Sequence, residues 1–237
     1  MNLIWATAGA MTGLPAGTCL RGPVFRLSVR SGESERSACP RCAAPVHRWP
    51  VLRCEHCGGW FGTPCGLELA TAAVLASLLG RFGGQPEFAA FALLGALGVG
   101  LATIDVAVQR LPDPLTLPAY PALIALLGAA ALADHDGSAL VRALLGGLAM
   151  AGGYLLLGLI AAGQIGGGDV KLAGLVGLTL GWLGWRTLFI GAFLGFVLAA
   201  IVGLALLAGR RVTMHSMITF GPYLLTGALV AILISGQ

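Results

Sequence analysis

The chain has 237 residues, 57% of them hydrophobic and only 10% charged, with 37 glycines and a mean hydropathy of +0.88. That composition excludes intrinsic disorder, and it falls far below the roughly 25% charge of soluble domains, whose surface these few charges could not coat. What remains is an all-α, polytopic membrane helix bundle.

Spans of about 20 apolar residues cross a bilayer, with a range of roughly 17–25. Candidates run over 2–20, 67–82, 88–108, 117–133, 139–162, 170–185, 187–208 and 217–235, which gives about eight transmembrane helices. The first span has no basic leader segment, so it reads as a retained helix. Residues 1–20 then form a first transmembrane helix, 21–66 a small polar domain, and 67–237 the main membrane domain.

The segment 21–66 holds seven arginines and six residues of chemical interest at Cys39, Cys42, His47, Cys54, His56 and Cys57. Cys39-x2-Cys42 and Cys54-x2-Cys57, eleven residues apart, form two knuckles suited to a structural tetrahedral Zn2+ site. His47 and His56 are substitute ligands, and two disulfides are the competing arrangement. A short segment with few large apolar side chains needs such a staple. Cys19 and Cys65 read as small buried residues. Glu68 and Arg81, at the ends of the second span, read as snorkelling to the two interfaces.

Placing 21–66 in the cytoplasm puts eleven basic residues inside, counting Arg110, Lys171, Arg210 and Arg211, and leaves only Arg81, Arg142 and Arg186 outside. Both chain ends then fall outside. A basic segment beside apolar spans fits a membrane face and excludes nucleic acid as the partner. Glycine pairs at Gly146-Gly147 and Gly152-Gly153, and Gly195, suit close helix packing in lipid.

Charges inside spans are costly and mark function by default. Asp134 and Asp136 belong to an external turn. Asp105 lies in Ala102-Thr103-Ile104-Asp105-Val106, Asp113 in Leu111-Pro112-Asp113-Pro114, and Asp169 ends Gly166-Gly167-Gly168-Asp169. The structural alternatives are an N-cap at Asp169 and an interfacial anchor at Asp105 partnered by Arg110. Alternating spans put Asp105 and Asp169 at the same face and similar depth. There, two carboxylates sharing one proton could activate water and polarise a carbonyl. Gly166, Gly167 and Gly168 clear the approach of a substrate backbone, with Asp113 and Lys171 beside it.

These motifs resemble the prepilin peptidase family, the type IV prepilin leader peptidases and N-methyltransferases. In that family an intramembrane aspartyl protease carries a GxGD motif, here Gly166 to Asp169. A second aspartate opens a D-x7-D stretch, here Asp105 to Asp113. Thr219-Phe220-Gly221-Pro222-Tyr223, Phe25-Arg26-Leu27 and Glu68 also match the family's pattern. The resemblance implies Asp105 and Asp169 as the catalytic pair, and a type IV prepilin or pseudopilin of a type IV pilus or type II secretion system as substrate. It also implies the bacterial inner membrane as location, with the active site facing the cytoplasm. Family members with the tetracysteine loop have a longer insert between its cysteine pairs, and N-methylation is associated with that domain. S-adenosylmethionine is a cofactor only if that activity is retained. The alternative is a membrane transporter or scaffold with a zinc-knuckle loop and non-catalytic aspartates.

Overall fold

The computed structural model describes residues 3–30, 32–46, 53–61, 65–160, 166–209 and 219–235; His47, Arg48, Arg210 and Arg211 lie outside them. Among the described residues there are eight helices and no strands, only two isolated β-bridges. Five helices are long and apolar enough to cross a membrane: α1 (Leu3–Leu27), α3 (Phe88–Val108), α4 (Asp113–Ala133), α5 (Gly137–Ile160) and α7 (Trp185–Ala208). The remaining three are shorter: α2 (Gly66–Phe82) and α6 (Gly167–Leu183) have 17 residues each, and α8 (Gly221–Ile234) has 14. The chain divides into two compact units, Met1–Pro112 and Asp113–Gln237.

In the first unit α1 lies along α2. Gly9, Gly13 and Gly17 recur every four residues and so share one face of α1. A Cβ at Gly17 would stand 2.6 Å from Glu68 Cα, and one at Gly13 would run into Ala72 Cα, so no larger side chain fits this seam. Helix α1 continues seven residues beyond the expected end at residue 20. The reason is electrostatic. Arg21 does not leave the helix for water; it is buried, and its Nε and Nη2 donate to Glu68 Oε1 and Oε2, the latter at 2.7 Å. Glu68 is buried by the same pairing and does not snorkel.

The second unit is built around α6. Leu172 to Trp182 are all buried, enclosed by α4, α5, α7 and α8. Against α5 the seam is again glycine: a Cβ at Gly146 would stand 2.7 Å from Gly177 O, and one at Gly181 2.8 Å from Arg142 O. Arg142 closes the C-terminal end of α6, donating to Gly181 O at 3.0 Å and Trp182 O at 2.6 Å, where helix carbonyls lack internal partners. Gly195 of α7 fits against Leu224 of α8. Gly152 and Gly153 depart from expectation: both are exposed, and a Cβ on either meets nothing within 4 Å.

Candidate active site and metal centre

Asp169 is the third residue of α6, whose N-cap is Gly166 in an extended conformation. The N-cap alternative for Asp169 is therefore corrected: Gly166 occupies that position, and Asp169 is at N3. Its N–H donates to Gly166 O at 3.0 Å, and its Oδ2 stands 3.6 Å from where a Cβ on Gly166 would lie. The carboxylate is half-buried at the positive end of the helix. Gly166 and Gly167 are exposed, and a Cβ at Gly167 would meet nothing within 4 Å, so the backbone flanking the carboxylate is open.

Two further sequence candidates meet in the same unit. Lys171 Nζ donates to Asp113 Oδ1 at 2.6 Å, joining the first turns of α4 and α6. A neighbouring contact reinforces this junction: Tyr120, between Pro118 and Pro121 of α4, donates its hydroxyl to Lys171 O at 2.7 Å. That hydroxyl occupies the space a Cβ on Gly174 would need. Sequence reasoning passed over Tyr120, Gly174 and Tyr154, although the chain has only three tyrosines. A phenol inside an apolar helix was the available signal.

Asp105 belongs to the first unit, in the last turn of α3, and is only 5% exposed. The helix stops four residues later, where Gln109 takes a left-handed conformation (φ 53°) and donates its N–H to Asp105 O at 2.7 Å. Arg110 donates to Arg30 O at 3.3 Å.

The cysteine segment forms two matching knuckles. Cys39 N–H donates to Ala44 O at 2.8 Å and Ala43 N–H returns to Cys39 O at 2.9 Å; Cys54 pairs with Gly59 and Gly58 in the same register, both at 2.8 Å. The turn needs a left-handed residue after the second cysteine of each pair, met by Ala43 (φ 56°) and Gly58 (φ 66°). All four sulfurs lie within 4.8 Å of one another, with Cys39–Cys57 at 3.8 Å and Cys42–Cys54 at 3.6 Å. A tetrahedral Zn2+ with bonds of about 2.3 Å sets its sulfurs about 3.8 Å apart, so the cluster fits such an ion. All six cysteines are free thiols, which disfavours the disulfide arrangement. Cys19 and Cys65 are exposed and not buried as expected, Cys65 as the left-handed N-cap of α2.

The thiols are electrostatically uneven. Backbone N–H groups of Arg41 and Cys42 pull Cys39 down to about 6, and those of Cys57 and His56 lower Cys54. Cys42 takes help from the Ala44 N–H, but burial and the neighbouring sulfurs push it up to about 12. Four thiolates therefore do not accumulate without a cation among them. The knuckles are tied to the helices by Phe61, whose ring packs on Phe25 at 4.6 Å and whose carbonyl accepts from Arg21 at 3.0 Å.

The profile of the type IV leader peptidase family matches residues 88–206. A prepilin leader peptidase/N-methyltransferase of Burkholderia pseudomallei is 35% identical over 218 residues, covering 81% of this chain and 65% of the relative. Its counterpart in Pseudomonas aeruginosa is 31% identical over 219 residues, covering 85% of this chain and 72% of the relative. That of Aeromonas salmonicida is 34% identical over 215 residues, with 84% and 71% covered. The chain thus spans about two thirds of the length of the Burkholderia relative. No solved structure matches.

Proposed function

Because this chain belongs to the type IV leader peptidase family, we propose that it is an intramembrane aspartic endopeptidase. Its substrate is a type IV prepilin or pseudopilin, from which it removes the short basic leader at the cytoplasmic face of the bacterial inner membrane. The observation that carries this reading is Asp169, a carboxylate at a helix N-terminus flanked by exposed, uncrowded glycine backbone. A peptide must be locally unwound to be cut, because a helical amide is hydrogen-bonded and sterically covered. Bare glycine backbone admits such an extended strand.

Asp105 and Asp169 are the proposed catalytic carboxylates. One removes a proton from water as its oxygen adds to the scissile carbonyl carbon. The other, protonated, donates to the carbonyl oxygen, after which the C–N bond breaks and the leaving nitrogen takes a proton. Asp113 and Lys171 flank the approach as an ion pair. The four cysteines hold a structural Zn2+, which fixes the polar segment and takes no part in hydrolysis.

The relatives' names join leader cleavage to N-methylation. S-adenosylmethionine would be the methyl donor if this chain does both. No strand leading into a glycine-rich loop exists among the described residues to hold it, so no methyl-transfer step is assigned.

The test is co-expression of a tagged prepilin with wild type, Asp105→Asn or Asp169→Asn, read by gel mobility. Each variant is expected to lose processing by about a hundredfold or more. Wild-type processing by either variant removes that aspartate from the pair. Prepilin left uncut by the wild type favours the transporter or scaffold alternative. Mass spectrometry of the mature N-terminus reads methylation separately.

A further inference from the structure

Tyr154, in the C-terminal half of α5, is a buried polar residue that the reaction above does not use. The residue is 3% exposed, and its ring is fixed by two others. It stacks on Phe196 of α7 at 5.5 Å and 21°, and tilts against Phe220, just before α8, at 5.6 Å and 53°. Phe196 and Phe220 close the trio at 5.1 Å. The ring plane is thus held between α7 and the residue that caps α8, leaving the hydroxyl little freedom.

The hydroxyl oxygen is fully buried and has no hydrogen-bond partner among the described residues. Buried tyrosine hydroxyls normally find one, and phenylalanine would fill the same space without stranding a donor. The α5–α6 seam runs antiparallel, with Gly181 against Arg142 and Gly177 against Met150, so Tyr154, one turn beyond Met150, lies toward the end of α6 that carries Asp169. The same neighbourhood holds the exposed backbone of Gly166 and Gly167. A stranded donor, a carboxylate and open glycine backbone together suit an arriving peptide group.

We propose that Tyr154 is a further catalytic residue, whose hydroxyl donates a hydrogen bond to the carbonyl oxygen of the scissile peptide beside Asp169. As water adds to the carbonyl carbon, negative charge gathers on that oxygen. A donor held in advance in a water-poor site stabilises the charge where it forms. The phenol keeps its proton at neutral pH and needs no change of state during the reaction. The inference rests on the catalytic role proposed for Asp169.

The experiment compares purified full-length wild type, Tyr154→Phe and Asp169→Asn in lipid nanodiscs. The probe is a peptide with a basic leader, a glycine and an apolar segment. Tyr154→Phe is expected to melt at or above the wild-type temperature, to keep its KM, and to lose about a hundredfold in kcat across the whole pH profile. Wild-type kcat in Tyr154→Phe, with Asp169→Asn inactive, overturns this inference alone. So does a lowered melting temperature that accounts for the lost activity, which marks a packing role. A displaced pH profile with an undiminished plateau also overturns it, since the hydroxyl would then serve the Asp169 carboxylate and not the peptide. Cleavage by Asp169→Asn, or none by wild type, overturns the underlying reading and this inference with it.

Discussion

A guanidinium and a carboxylate buried together in an apolar seam are costly to separate. Arg21 and Glu68 meet with side chains 3% and 10% exposed, and Arg21 also reaches Phe61 O. Removing one partner leaves an uncompensated buried charge, which costs about 3–5 kcal/mol, whereas replacing both with apolar residues is often neutral. Glu68→Ala should therefore lower the melting temperature of the purified protein sharply, and Arg21→Met/Glu68→Leu should recover much of the loss. A Glu68→Ala protein that melts with the wild type would show the pair to be idle. The pair also explains where reading the sequence went astray. The sequence pattern puts Arg21 at the start of the polar segment and Glu68 at the end of a span as a snorkelling anchor. Each inference treats a charge alone, and only a contact 47 positions away shows that the two cancel.

The cysteine segment shows the opposite balance between sequence and fold. Its spacing alone identified all four sulfurs of the cluster, because each knuckle is a local turn that six residues define. The ordinary direction of thiol chemistry fixes its pH response. Thiols ionise as pH rises, and a metal must displace whatever protons remain. At neutral pH Cys42, pushed up to about 12, still holds its proton, so metal binding should release acid measurable by calorimetry in buffers of differing ionisation heat. Below about pH 6 Cys39 of the metal-free cluster also holds a proton, so metal affinity should fall more steeply with each further step down in pH. Elemental analysis checks this, with Cys39→Ser/Cys54→Ser expected to retain no stoichiometric zinc. Undiminished metal in that variant at neutral pH would refute the site. Helix seams were only partly legible. Gly146 and Gly195 were identified, but Gly152 and Gly153 face outward, and the Gly9, Gly13 and Gly17 row was missed. Glycine content says that a helix can approach closely, while which face does so depends on the neighbour's shape.

At the scale of the molecule, hydropathy located the eight helices of the described residues, most of their ends to within a few residues, because apolar length is a local property. The ends shifted where tertiary partners intervened: α1 ran on past Arg21, and α4 began at Asp113, where Lys171 awaits it. Asp105 and Asp169, the proposed catalytic pair, stand out in the sequence as rare charges in apolar surroundings; Tyr154 does not, since its hydroxyl is conspicuous only once the described residues show no partner for it. The proposed orientation makes a further prediction. In the first unit, the cysteine segment and the turn around Gly84 lie at opposite ends of α2. A reporter enzyme active only in the periplasm should be silent when inserted at Gly32 and active at Gly84. The reverse pattern would place the four cysteines on the oxidising side.

Helix α6 carries a consequence for how the protein is made. A segment leaves the translocation machinery for lipid by presenting apolar surface to it, yet eleven successive residues of α6 are reserved for other helices and its first turn bears Asp169 and Lys171. Its affinity for the bilayer is thus borrowed from its neighbours. The glycine seam joins it to α5, which is synthesised just before it. The helices that complete its enclosure, α7 and α8, emerge later, and until they do the nascent chain holds an acidic residue in an unfinished membrane site.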